Sequence, residues 1–153
     1  MLRLSREADY GLIALMYMAV RPEGRLAYRR EIAEAHGIPT EFLAKVLQKL
    51  ARGGLIRSYR GTQGGYALAR TPAEITLADV VDAVEGPMAI VECQCESYDC
   101  VQEPSCNVKH ALTGVQREIR RVLACVSLLD IERGGPATAA ETSTARHAEA
   151  GRR

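Results

Sequence analysis

Three glycines within five residues, Gly61, Gly64 and Gly65, separate two short stretches of alternating polarity, Leu55 to Arg60 and Tyr66 to Ala69. Alternation of period two is strand patterning, and a glycine-rich spacer of this length closes two such strands into a hairpin. Gly53-Gly54 stands immediately before it, so the hairpin is entered abruptly from a terminated helix. A lone two-stranded ribbon is marginal in water and must lean on something else. The chain is thereby confined to helical frameworks that carry one small β ribbon.

What precedes the ribbon narrows this further. Arg30 to Ala35, with Ile32 and Ala33 inward, forms a short helix closed by His36-Gly37, which suits a left-handed cap. Ile38-Pro39-Thr40 then turns, and Thr40 is expected to cap a helix whose inward face is Phe42, Leu43, Val46, Leu47 and Leu50. Two short helices joined through a glycine are a helix-turn-helix, the second placed for a DNA major groove, and the hairpin after it is a wing.

The remaining segments extend the framework. Residues 6–20 carry an apolar stripe through Leu12, Ile13, Leu15, Met16, Met18 and Ala19, expected as a first buried helix. Leu77 to Glu85, with Val80, Val81 and Val84 on one face, is a short helix ended by Gly86-Pro87. From Lys109 onward Leu112, Val115, Ile119, Val122, Val126 and Leu129 recur at spacings of three and four, the rhythm of one helix seam that seeks a partner, here expected to pack alongside the first helix. Cys125 lies among Val122, Leu123, Val126 and Leu128 and is expected as a small core residue. The fold expected is mainly α with a small β wing. A winged helix-turn-helix domain fills 1–72, a short helix and cysteine-containing loop 73–107, a long C-terminal dimerisation helix 108–132 and a disordered tail 133–153.

Charge supports the nucleic-acid reading. Residues 1–70 hold twelve Lys or Arg against six Asp or Glu, whereas residues 71–153 hold eight against thirteen. The basic half is the one expected to meet phosphate. Lys45, Lys49, Arg52, Arg57 and Arg60 fall on the second helix and wing, where cations neutralise phosphates. Thr40 and Gln48 offer hydrogen bonds to base edges, and the glycine-rich tip lets backbone approach a minor groove. The candidate DNA contacts are therefore Arg29, Thr40, Glu41, Lys45, Gln48, Lys49, Arg52, Arg57, Arg60, Gly61, Thr62, Gln63 and Gly64.

The apolar run Gly11 to Val20 is about half of what a bilayer-spanning helix needs and follows charged residues without a cleavage signal, so a cytoplasmic protein with no membrane partner is expected. In that compartment five cysteines point to metal or redox chemistry rather than to a disulfide framework. Cys93, Cys100, Cys106 and His110 stand with six, five and three residues between them. Thiolates with an imidazole are soft ligands suited to zinc or to an iron–sulfur cluster. Structural zinc sites favour closer pairs, and wide spacing suits a chain wrapped around a bulky cluster, with Cys95 able to stand in for Cys93. No nucleophile–base pair, phosphate loop or paired carboxylates stand out, and an enzyme is not expected.

These residues together are similar to a known pattern. Leu2-Arg3-Leu4-Ser5 with Ala8-Asp9-Tyr10-Gly11, Gly53-Gly54-Leu55-Ile56, the wing Arg60 to Tyr66, Ile75-Thr76-Leu77 and Val84-Glu85-Gly86-Pro87 resemble the Rrf family of winged-helix regulators, as does the order Cys93, Cys100, Cys106. The resemblance covers about residues 1–132 and is nearest to regulators of iron–sulfur assembly operons of the SUF type. It implies a homodimer with crossing C-terminal helices, each cysteine loop lying near the partner's first helix. It implies a 2Fe-2S or 4Fe-4S cluster on Cys93, Cys100 and Cys106, with His110 or the partner's Asp9 as fourth ligand. The function so implied is a transcription regulator that senses iron–sulfur status or redox or nitrosative stress and acts on iron–sulfur assembly genes through double-stranded operator DNA. A thiol switch, a structural zinc site or a cluster carrier that binds no DNA are the alternatives.

Overall fold

The computed structural model describes residues 3–22, 24–61, 64–91 and 106–135, with the backbone alone at His110. In chain order the elements are α1 (Arg6–Ala19), α2 (Arg29–His36), α3 (Thr40–Arg52), β1 (Ile56–Tyr59), β2 (Gly65–Leu68), a 3-10 turn at Pro72–Glu74, α4 (Leu77–Glu85), α5 (Asn107–Ala124) and α6 (Leu128–Glu132). The architecture is a winged helix, mainly α with one antiparallel ribbon in which Ile56 faces Leu68 and Tyr59 faces Gly65.

Local signals account for most boundaries. Ser5 caps α1 by accepting from the Ala8 N–H, and Thr76 caps α4 with Asp79 reaching back to the Thr76 N–H. Gly37 closes α2 in the left-handed conformation, φ 63°, where a side chain would be strained. Thr40 does not cap α3: it is the first helical residue, and Pro39 occupies the capping position without a side-chain bond. Proline there presets φ at −57°, which starts the helix one residue earlier than a Thr40 cap would.

The core lies where α1, α3 and α4 cross. Ala14, Leu15, Leu43, Val46, Leu47, Leu50, Val80 and Val84 are buried there, joined by Ile32 and Ile38 beneath α2 and by Leu55 and Ile56 at the wing base. Gly11 makes the crossing close: a Cβ there would lie 3.4 to 3.7 Å from Val84, Val46 and Leu50.

The C-terminal region departs from expectation. The seam from Leu112 to Leu129 is not one helix, because α5 stops at Ala124 and Ser127 starts a new one with its own capping box to Asp130. Thr76 and Ser127 form a β-bridge, with the Leu77 N–H donating to Val126 O and the Leu128 N–H to Ile75 O, both at 2.9 Å. Leu128 is fully buried in the core, α6 packs on α1 and the 3-10 turn, and α5 packs chiefly on α4 rather than on α1. Cys125, expected inside, is exposed, because it terminates α5 on the side away from the core. The expected tail from 136 onward lies outside the described residues. Among the described residues no helix is long and apolar enough to cross a membrane.

Candidate nucleic-acid interface and cysteine segment

Helical periodicity divides α3 into two faces. Leu43, Val46, Leu47 and Leu50 point into the core, and Glu41, Lys45, Gln48 and Arg52, spaced four, three and four, form an exposed stripe on the opposite side. Thr40 is exposed at the start of the same helix. None of these five side chains has a hydrogen bond or ion pair among the described residues. A stripe of uncommitted donors, acceptors and cations on a helix that projects its outer face is what base and phosphate contacts require.

Lys49 is different. Its ammonium is engaged by the Glu7 carboxylate of α1 and donates to Val84 O of α4 at 2.9 Å. The side chain thus leans toward α1 and α4 and stands apart from the stripe.

The wing is stitched to the segment that leads into α2. Ala27 and Tyr66 exchange both backbone hydrogen bonds, at 2.8 and 2.9 Å, and a Cβ on Gly65 would come within 2.9 Å of Ala27 O and Leu26 Cβ. Gly61 has φ 109°, and the Gly64 N–H returns to Gly61 O at 2.9 Å, so the hairpin tip is a tight backbone turn. Arg57, Arg60 and Arg29 are all exposed, and Arg57 and Tyr59 share one face of β1. Thr62 and Gln63 lie outside the described residues. Tyr59 and Tyr28, the latter directly before Arg29, are also exposed, although neither stands among the candidates read from the sequence. The signal for Tyr59 is its two-residue spacing from Arg57.

Of the ligand candidates, Cys93, Cys95 and Cys100 lie outside the described residues, as does the His110 side chain. Cys106 is half-exposed at the N-cap of α5, with His110 four residues on in the same helix. Asp9 is exposed on α1, and its carboxylate has no partner among the described residues. Among the described residues no three His, Cys, Asp or Glu side chains converge. The chain leaves α4 toward the cysteines through Gly86 and is fastened on the way by the Gln116 amide, which donates to Met88 O, while Arg120 of α5 pairs with Asp82 within α4. The cysteine-bearing segment is therefore tied to α5 at both ends.

On the flank of α5, Val108, Val115 and Val122 recur every seven residues and are 61%, 49% and 58% exposed. Leu112 and Ile119, partly covered, lie between them. An apolar stripe this open on one chain is the kind of face that a second helix covers.

Comparison with known proteins agrees with this geometry. A family model described as "Rrf2: Iron-dependent Transcriptional regulator" matches residues 4–133. Protein aau3 of Rhizobium meliloti (strain 1021) is 37% identical over 136 residues, which is 88% of each chain. Among solved structures, CymR, the global cysteine regulator of B. subtilis, superposes with a TM-score of 0.69 at 25% identity, covering 89% of this chain and all of that one. IscR of T. potens gives 0.65 at 28% identity, covering 87% of this chain and 88% of that one. CymR of Staphylococcus aureus gives 0.60 at 29%, covering 81% and 93%.

Proposed function

The chain belongs to the Rrf2 family of transcriptional regulators, not to any enzyme class, and on that premise we propose that it couples operator binding to an iron–sulfur cluster. The ligands proposed are Cys93, Cys100 and Cys106, the cluster 2Fe-2S or 4Fe-4S, the state homodimeric and the compartment the cytoplasm. The targets proposed are genes of iron–sulfur assembly. Contacts to DNA are assigned to Arg29, Thr40, Glu41, Lys45, Gln48, Arg52, Arg57 and Arg60 with the wing tip Gly61 to Gly64.

One observation carries this reading: the cysteine segment is anchored at Met88 and at Cys106 to the same helix that bears the open valine stripe. The donor set fits the group, since three thiolates and one imidazole or carboxylate supply four positions of the soft character that iron–sulfur centres take. Such a cluster, when bound, supplies a state that changes on oxidation, nitrosylation or loss. The residues of this chain supply the rest. Cys106 sits at the positive end of the α5 dipole, which favours a negatively charged group there. Exposed Asp9, in the first turn of α1, is available to a neighbouring chain and supports a fourth ligand donated across the dimer. Pairing of the Val108, Val115 and Val122 stripes sets the distance between two α3 helices, which must match half-sites about 34 Å apart. A change in the segment between residues 88 and 106 then shifts α5, and with it that distance.

Anaerobic purification with iron and acid-labile sulfide analysis and native mass spectra tests this. Stoichiometric iron and sulfide are expected, lost on replacing Cys106, with Asp9→Ala and His110→Ala separating the two fourth-ligand assignments. Absence of both elements rejects the reading. Zinc in their place, or a disulfide between Cys93 and Cys100, favours the structural zinc site or thiol switch, a reading to which the likeness to a cysteine regulator lends support.

A further inference from the structure

Lys49 lies on the DNA-reading helix, yet its ammonium joins three elements. It is paired with Glu7 of α1 and donates to Val84 O at 2.9 Å, one of the last carbonyls of α4, which have no partner within their own helix. The Ser5 N–H, at the cap of α1, donates to Glu85 Oε1 of that same helix end at 3.1 Å. Gly11, one turn beyond Glu7, packs against Val84, Val46 and Leu50, so the charged junction sits over the closest approach of the three helices. Directly after Glu85 the chain turns at Gly86 and departs toward the cysteines.

We propose that Lys49 is a positioning residue that sets the orientation of α3 from within the domain, through Glu7 and the end of α4, and does not act as a phosphate contact. The helix end it grips is also the root of the cysteine segment. A rearrangement of residues 86–91 therefore displaces the Val84 carbonyl and, through Lys49, the reading stripe Glu41, Lys45, Gln48 and Arg52. This relay rests on the proposed function; the positioning role itself needs only specific DNA binding.

The test uses cluster-free full-length protein, the duplex it selects from a randomised pool, and a shuffled duplex as control. Lys49→Met, Glu7→Gln and the double variant are compared for affinity, salt dependence and thermal stability. Charge alone predicts opposite effects, since losing a cation weakens DNA binding and losing an anion strengthens it. Positioning predicts that both single variants weaken the selected duplex, by roughly two- to thirty-fold, that the double is no worse than either, and that shuffled-duplex affinity and salt slope are nearly unchanged. A salt slope reduced by about one in Lys49→Met, with Glu7→Gln unaffected, makes Lys49 a phosphate contact and overturns the proposal. A lowered Tm with an unchanged ratio of selected to shuffled affinity reduces the junction to packing and overturns it too, and so does a wild type that enriches no duplex. Iron and sulfide content of the wild type judges the cluster reading separately. In cluster-loaded protein the same variants bring the affinity ratio between loaded and cluster-free forms toward one, and a ratio left as in the wild type removes the relay.

Discussion

The Leu128 N–H donates to the carbonyl of Ile75 at 2.9 Å, and both side chains are fully buried. This bond returns the chain after α5 to the winged domain, so the two are not connected by a single hinge. Leu128→Ala removes a buried side chain that α6 alone supplies, and the domain is expected to lose about 2–5 kcal/mol of stability. Urea unfolding followed by circular dichroism reads this directly. A loss below about 0.5 kcal/mol would mean that α6 is not part of the core.

Most element boundaries in the first 86 residues are legible because their signals are local, the start of α3 at Thr40 excepted. Gly37, Gly53-Gly54 and the Gly61 to Gly65 tip each demand a backbone conformation at one position, and the periodicity of Leu43, Val46, Leu47 and Leu50 needs no partner to be seen. The break after α5 was legible too, in Ser127 and Asp130 at capping-box spacing, but the heptad rhythm running through Val126 and Leu129 masked it. Cys125 was misplaced for the same reason, since a continued helix turns it inward and a terminated one leaves it out. Lys49 could not be read at all. Its partners Glu7 and Val84 are 42 and 35 residues away, and no periodicity links them.

The wing tip gives a second expectation. Gly65→Val places a branched side chain against Ala27 O and Leu26, both already within 2.9 Å of where a Cβ begins, and the bridge between Ala27 and Tyr66 must open. Affinity for a selected duplex is expected to fall by at least about tenfold, while the helical signal in circular dichroism stays close to wild type, because the wing adds little to the helical core. Retained affinity would show that the ribbon does not touch DNA.

Arg52 and Arg60 are exposed cations with no intramolecular partner among the described residues. Replacing either by Ala is expected to weaken binding to selected and shuffled duplexes alike, lowering the slope of log affinity against log salt by about 0.9 for each phosphate that is no longer neutralised. Fluorescence anisotropy titrations over a range of salt concentrations measure it, and an unchanged slope removes that residue from the interface.

Acid sensitivity has a defined sign at two capping boxes. Asp130 accepts from the Ser127 hydroxyl at 2.6 Å and the Ser127 N–H at 2.8 Å, and these bonds hold its carboxyl below the ordinary range. Glu74 is lowered in the same way by the hydroxyl and N–H of Thr71. A carboxyl with a depressed folded pKa stabilises the fold above its unfolded value, roughly 4, and loses that contribution as pH falls through the folded value. Asp130→Asn is therefore expected to be less stable than wild type at neutral pH, and the gap should close as pH falls below the unfolded value and through the lower folded one. Thermal melts across that range check it, and a gap independent of pH would assign the effect to packing rather than to charge.

The open stripe on α5 yields the last expectation. Val115 and Val122 are two helical turns apart, 49% and 58% exposed, and lie on one side of a helix whose opposite flank is held to α4 by Arg120 and Asp82. Covering such a stripe with its copy removes several valine and isoleucine side chains from water, each contributing about 1.5–3 kcal/mol when fully buried. Val115→Asp together with Val122→Asp places charges where the two helices would meet, and burying an unpaired carboxylate there costs more than the valines contributed. Sedimentation equilibrium is expected to show a dimer for the wild type and a monomer for this double variant. DNA affinity should fall sharply with the dimer, since one recognition helix then engages only one half-site. If the variant instead remains dimeric, the stripe is not the seam, and another surface must set the spacing of the two α3 helices.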